Sequence, residues 1–336
     1  MSGIILAGSI VILAVALAVA WTLARRRRKR RQSSKACQWS IGILSGRDPL
    51  ALQEHPDHPN PRFTVADIPG NQYLMVADPF LVQDEGRWLL FFEMLNRGSR
   101  LGEIGVATSS DGWHWSHAGT ALREPFHLSY PQVFRHAGGY FMIPESRKAR
   151  EVRLYRALDF PLRWTLDRVL FTGNYSDPTI LSWQDRWWIF ATRHPRGMEI
   201  WSADELRGEW RPHPGNPVYR YHKSAARNGG RPVVADGRIL RFAQDARGGY
   251  GNALRAFAID VLDEARFREH PLEPDPFLAP HGNGWACAAM HHCSPVLTAS
   301  GTWLAAVDGC GLWDRAAQAG DAAALSASGH RSDTPG

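Results

Sequence analysis

Hydrophobic and polar positions along the chain fall into five similar groups. Each begins with a polar residue and a proline, runs through an apolar stretch, turns, and enters an aromatic-rich run. The groups open at Asp78-Pro79, Tyr130-Pro131, Asp177-Pro178, Arg231-Pro232 and Ser294-Pro295, and turn at Gly86, Gly138, Asp185, Gly237 and Gly301. Successive prolines are 52, 47, 54 and 63 residues apart, a period in the range of propellers and solenoids. The first four hairpins are followed by further alternating segments, such as residues 103–119 with their Asp111-Gly112 turn. Four strands per group and five groups predict an all-β fold, a five-bladed β-propeller. The fifth group is short. Trp39-Ser40-Ile41-Gly42-Ile43 has strand character and is expected to complete the last blade, with residues 46–72 crossing to blade one.

Charge and hydropathy mark off the ends. Residues 3–24 carry no charge, and residues 25–31 read RRRRKRR. An apolar run of that length spans a hydrocarbon core of about 30 Å, and charges behind it point to an uncleaved anchor rather than a signal peptide. The positive-inside rule then places the following chain on the cytoplasmic side. The basic run would attract anionic lipid at about 1 kcal/mol per Lys or Arg, or serve only as a stop-anchor. The formal charge of +6 suggests nucleic acid at first sight. Taking residues 25–31 and Lys35 from the 39 basic residues leaves 31 against 33 acidic, so the body is near neutral and no nucleic-acid partner is expected. The expected organisation is an anchor over 1–24, a basic linker over 25–37, the propeller over 38–312 and a disordered tail over 313–336. The four cysteines show no disulfide-framework spacing and are read as free thiols.

Propeller topology singles out one rim. The first strand of each blade lines the axis and the second returns antiparallel, so the start of one and the end of the other emerge together. The starting residues are Asp78, Tyr130, Asp177, Arg231 and Ser294; the ending residues are Glu93, Glu145, Thr192, Gln244 and Asp308. His127, Arg193, Asp245, His291 and His292 flank them. Such a rim collects acids, bases and donors, as a polar-ligand site requires. Each residue also has a plainer role open to it. An Asp before Pro caps turns, strand-end carboxylates are often only solvated, and Arg231 suits an anion ligand or a salt bridge between blades equally. Cys287, His291, His292 and Cys293 lack a regular zinc spacing, and 248–251 lacks the strand-then-helix context of a nucleotide loop. No metal or cofactor is expected.

Residues 39–43, 77–80, 123–131, 143–145, 241–245 and 290–292 carry a family resemblance. Over roughly 38–310 the chain resembles the N-terminal propeller domain of the glucosamine inositolphosphorylceramide transferase family. That domain is in turn similar to five-bladed glycosidases such as arabinanases, xylosidases and fructosidases. The resemblance implies a carbohydrate-active or carbohydrate-binding propeller. By analogy with the glycosidases, Asp78 is the base or nucleophile and Asp177 the residue that orients sugar or tunes pKa. Blade four opens with Arg231 where those enzymes place the acid, so Glu145 is the substitute acid. Glu93, His127, Tyr130, Arg193, Arg231, Gln244, Asp245, His291 and His292 are the expected substrate contacts. In the family a separate glycosyltransferase domain follows the propeller, so sugar transfer itself is not carried over. Three functions stay open: a glycosidase-like enzyme acting on a glycan, glycolipid or sugar phosphate; a binding module for such a ligand; and a protein-interaction scaffold. The enzyme requires carboxyls about 5 Å apart for retention, or roughly 6.5–9.5 Å for inversion.

Overall fold

Five antiparallel sheets carry nearly all regular structure in the computed structural model, which describes residues 35–195 and 197–314. Blade one is Tyr73–Asp84, Arg87–Asn96, Gly102–Ser109 and Ser116–Leu122. Blade two is Ser129–His136, Gly139–Glu145, Glu151–Asp159 and Arg163–Thr172. Blade three is Tyr175–Trp183, Arg186–Arg193, Gly197–Ala203 and Arg211–Pro212, with Tyr219–Arg220 also on its third strand. Blade four is Val233–Ala235, Arg238–Asp245, Ala253–Leu262 and Phe267–Pro271. Blade five joins Cys293–Leu297 and Trp303–Asp314 to two N-terminal strands, Lys35–Gly46 and Gln53–Glu54. Residues 39–43 thus complete the last blade as expected, and the link behind them also supplies its outermost strand.

The predicted hairpins form for a local reason. Glu85-Gly86, Ala137-Gly138, Gln184-Asp185 and Asp236-Gly237 each pair two positive φ values, between 46 and 80°. Two-residue turns of that kind match the right-handed twist of the strands they join. Each gap between neighbouring blades is then filled by its own apolar cluster. Ile41, Ile43 and Leu304 of blade five pack on Val76, Leu90 and Phe92 of blade one. Phe91 and Val106 meet Val133 and Met142 of blade two, and Ile143 and Leu154 meet Ile180 and Ile189 of blade three. Phe190 and Ile200 meet Ile239 and Ile259 of blade four, and Phe242 and Leu254 meet Ala305 and Val307 of blade five. These contacts return to the starting blade, so burial between blades closes the ring.

Residues 39–311 form one compact unit, the propeller. The expected anchor over 1–24, most of the basic linker and most of the 313–336 tail lie outside the described residues. No helix of the described residues is long and apolar enough to cross a membrane. The expectation of four free thiols is corrected: Cys37 and Cys310 are disulfide-bonded, whereas Cys287 and Cys293 are free. Cysteine spacing alone does not mark which of the four is bonded.

Candidate functional site

A repeated backbone irregularity builds one end of the axis. Asp78, Tyr130 and Asp177 have φ of 52, 50 and 49°, and each precedes a proline. At each, the ladder to the second strand breaks register, between Ala77 and Phe80, Ser129 and Gln132, and Ser176 and Thr179. Such bulges re-aim a side chain, and a non-glycine residue held at positive φ costs about 1–3 kcal/mol. The proline that follows has no N–H to leave unpaired at the break. In blade four, Gly230 has φ 129°, and a Cβ there would lie 1.8 Å from the Cys293 carbonyl oxygen. Glycine is required there for the backbones of blades four and five to touch.

Five buried carboxyl side chains gather at this end: Asp78, Glu93, Glu145, Asp177 and Asp308. Asp177 and Asp308 are each held by a cation. Arg227 Nε donates to Asp177 Oδ2 at 2.5 Å, and Gln244 Nε2 lies 3.3 Å from the same oxygen. Burial opposes ionisation of Asp177, but the Arg227 charge and hydrogen bond overcome it and hold the carboxyl below its ordinary value. His291 Nδ1 is 2.6 Å from Asp308 Oδ2, and the His291 backbone N–H donates to Asp308 Oδ1 at 3.0 Å. Burial again opposes the charges, yet each partner stabilises the other: Asp308 is held down and His291 pushed up.

The other three carboxyls are held less closely: Arg147 Nε lies 3.6 Å from Glu145 Oε1, and Glu93 and Asp78 face histidines at 3.4 and 3.9 Å. Burial, then the neighbouring Asp177 charge, pushes Glu145 up to about 8. Glu145 Oε2 also accepts from the Asp177 backbone N–H at 3.2 Å, which places the two side by side. Burial pushes Asp78 up to about 7 against the attraction of His291, whose Nδ1 lies 3.9 Å from Asp78 Oδ1. Glu93 is raised well above its usual range by burial and by the neighbouring carboxyls. The site therefore combines two ion pairs with three carboxyls, Asp78, Glu93 and Glu145, whose hold on a proton is raised mainly by burial. Asp78, His291 and Asp308 present donor atoms all within 4.8 Å of one another, a grouping that could hold a metal ion.

The remaining expected contacts separate into two sets. His127 sits at the edge of the cluster with Nε2 3.4 Å from Glu93 Oε1, its proton affinity lowered by burial and by Arg147 and Lys148. His292 lies fully buried behind Asp78, 3.8 Å from its Oδ1, between the rings of Phe80 and Tyr130, and burial pushes it down to about 3. Gln244 faces Asp177 rather than open space. Four residues depart from the expectation. Tyr130 points along the axis, its hydroxyl donating to the Gly230 carbonyl at 2.9 Å and bonding Thr179 at 2.8 Å, so it ties blades together. Arg193 turns to the third strand of its own blade and pairs with Glu199 at 3.1 Å. Asp245 is engaged by Arg247 at 2.5 Å. Arg231 runs to the opposite end, donating to the carbonyls of Leu81 and Val133 at 3.1 and 3.0 Å.

Rim counting missed Arg227, Tyr250 and the site role of Trp39. The Tyr250 ring lies 5.1 Å from the Arg227 guanidinium and 5.4 Å from the His291 ring, yet Tyr250 is 63% exposed. Trp39 stacks on His291 at 4.3 Å. Arg227 and Tyr250 lie in segments without strand periodicity, where no pattern assigns a facing direction.

Comparisons with known proteins agree with this architecture. The sequence model of the family "Glucosamine inositolphosphorylceramide transferase 1, N-terminal" matches residues 31–310. Glucosamine inositolphosphorylceramide transferase 1 of Oryza sativa subsp. japonica is 38% identical over 295 residues, covering 81% of this chain and 40% of that protein. The Arabidopsis thaliana protein of the same name is 34% identical over 298 residues, covering 81% and 39%. The chain thus spans about two fifths of the curated relatives it matches. Among solved structures, the catalytic domain of the Coprinopsis cinerea GH62 alpha-L-arabinofuranosidase aligns with a TM-score of 0.53 at 14% identity, covering 66% of this chain and 78% of that one. A glycosyl hydrolase from Bacteroides ovatus aligns with a TM-score of 0.54 at 13% identity, covering 71% and 84%. At such identities these structures establish the fold alone.

Proposed function

We propose, for a chain that belongs to the family of glucosamine inositolphosphorylceramide transferase 1 N-terminal domains, that the carboxyl cluster acts on the glycosidic bond of a glycan, glycolipid head or sugar phosphate. A carbohydrate-related function follows the family and the glycosidase-like fold. The finer assignment gives Glu145 the role of general acid, Asp78 that of base or nucleophile, and Asp177, held by Arg227, that of keeping the proton on Glu145. One observation carries it: Glu145 lies against the Asp177 backbone N–H at 3.2 Å and Asp177 is bound by Arg227, in the same buried cluster as Asp78, so burial and the Asp177 charge raise Glu145 while Arg227 lowers Asp177. Paired carboxyls whose environments push their proton affinities apart are how one site supplies acid and base at neutral pH. Trp39, Tyr250 and His127 would frame the sugar.

The test is a turnover screen of the full chain against glycans, glycolipids and sugar phosphates, repeated on Asp78→Asn and Glu145→Gln. The expected result is a loss of about 10²–10⁴ in rate in both variants, with ligand affinity retained. Equal turnover in both variants overturns the roles given to these residues. Affinity without turnover in any form makes the propeller a binding module. Blade four brings no carboxylate of its own to the cluster, because Asp245 is taken by Arg247, and this favours that second reading.

We also propose a single-pass anchor over residues 1–24, supported by its apolar sequence and the basic run behind it. The disulfide-bonded Cys37 and Cys310 favour an oxidising compartment for the propeller, against the cytoplasmic side that the positive-inside rule suggests. Protease protection in sealed membranes separates the two orientations.

A further inference from the structure

The far end of the axis holds an open pocket of about 390 Å³, of mixed polar and apolar lining, bounded among others by Leu81, Val133, Arg135, Tyr140 and Arg231. We propose that it is a second ligand site, centred on Arg231, for the phosphate group of a small soluble molecule. Arg231 reaches it from the rim residue Gly230 by running down between the inner strands. Its Nη2 donates to the carbonyls of Leu81 and Val133, and its Nε lies 3.4 Å from Ser294 Oγ. The Phe80 ring lies 5.7 Å from the guanidinium carbon. These contacts fix the fork while leaving Nη1 without a hydrogen bond to any described residue.

The guanidinium also lacks a counter-ion. Among the described residues, no carboxylate lies within ion-pair distance of the half-buried Arg231, whereas the more deeply buried Arg241 is paired with Glu269. Burying a cation without a counter-charge is costly, and that burial pushes Arg231 down to about 10. An anion entering the pocket would supply the missing charge and accept from Nη1. Arg135, exposed at the mouth, adds a second positive charge. Of the two acids there, Asp84 is already occupied by Arg87 and by the Tyr140 hydroxyl, and Glu85 is exposed. The volume fits a phosphate carried on a glycerol or a single sugar.

The experiment is calorimetric titration of the full chain with inorganic phosphate, repeated on Arg135→Glu, Arg231→Met and Glu145→Gln. Wild type and Glu145→Gln are expected to bind alike. Arg135→Glu, an exposed change that leaves the packing alone, is expected to bind about tenfold more weakly, and Arg231→Met not to bind. Absence of binding by wild type, or wild-type affinity in Arg135→Glu, overturns the proposal whatever Arg231→Met does to folding. Competition by glycerol phosphate against glucose phosphate then tells which small soluble carrier of the phosphate the site prefers, and either supports the site. Because Glu145→Gln reports on the opposite end, failure here leaves the carboxyl reading untouched.

Discussion

Replacing Arg227 by Met would test the electrostatic design of the carboxyl cluster directly. Asp177 is 1% exposed, and its ionised form depends on Arg227 at 2.5 Å. Removing one partner of a buried ion pair leaves an uncompensated charge and costs about 3–5 kcal/mol. The cost has a sign in pH. In the wild type the folded-state value of Asp177 is depressed, so its stabilisation is present above the unfolded carboxylate value and fades as pH falls through the folded one. In the variant, burial acts unopposed and raises Asp177 above its unfolded value. The variant therefore loses stability as pH rises, by having to give up that proton. The stability difference between the two proteins should grow from acid to neutral pH, reaching about 3–5 kcal/mol near pH 8 and shrinking by more than half near pH 4.5. Urea unfolding of both proteins at each pH measures it. A difference independent of pH, to within about 0.5 kcal/mol, would show that packing rather than charge accounts for the role of Arg227.

The other predictions concern activity, closure and covalent state. With Asp78 near 7 and Glu145 near 8, kcat/KM for a turned-over substrate should follow a narrow bell, rising as Asp78 ionises and falling as Glu145 loses its proton; a plateau extending to pH 10 counts against Glu145 as the acid. Ile41 is fully buried in the cluster that joins blades five and one, so Ile41→Ala should cost about 2–5 kcal/mol in urea unfolding; a loss below about 0.5 kcal/mol would mean that the N-terminal strand does not stabilise the ring. Alkylation of the denatured, unreduced protein followed by mass spectrometry should label Cys287 and Cys293 but spare Cys37 and Cys310; labelling of all four refutes their oxidised state.

Much of the architecture is legible because propeller blades repeat a short-range pattern. The polar-Pro starts, the two-residue turns and the strand alternation each reflect backbone constraints within a few residues, and these recur about every fifty. Closure by residues 39–43 is legible by elimination, since the fifth group is two strands short and one unassigned segment has strand character. The fourth strand of blade five is less so, because Gln53–Glu54 has only two residues and no alternation to detect.

The site divides along a physical line. A rule about which strand end meets which rim locates backbone, and it serves short side chains well: Asp78, Glu93, Glu145, Asp177 and Asp308 all arrive together. It fails for arginine, whose guanidinium lies several bonds from the backbone and is drawn to whatever acceptor lies within reach. Arg231 starts at the rim, but the free carbonyls of Leu81 and Val133 draw it down the axis, and Glu199 draws Arg193 aside. Arg227, which no periodic pattern marks, enters from an irregular segment and becomes the cation that Asp177 needs. Positions of short acids in a propeller can therefore be inferred from topology. The positions of their counter-ions require the acceptor geometry, and that geometry determines which carboxyl keeps its proton.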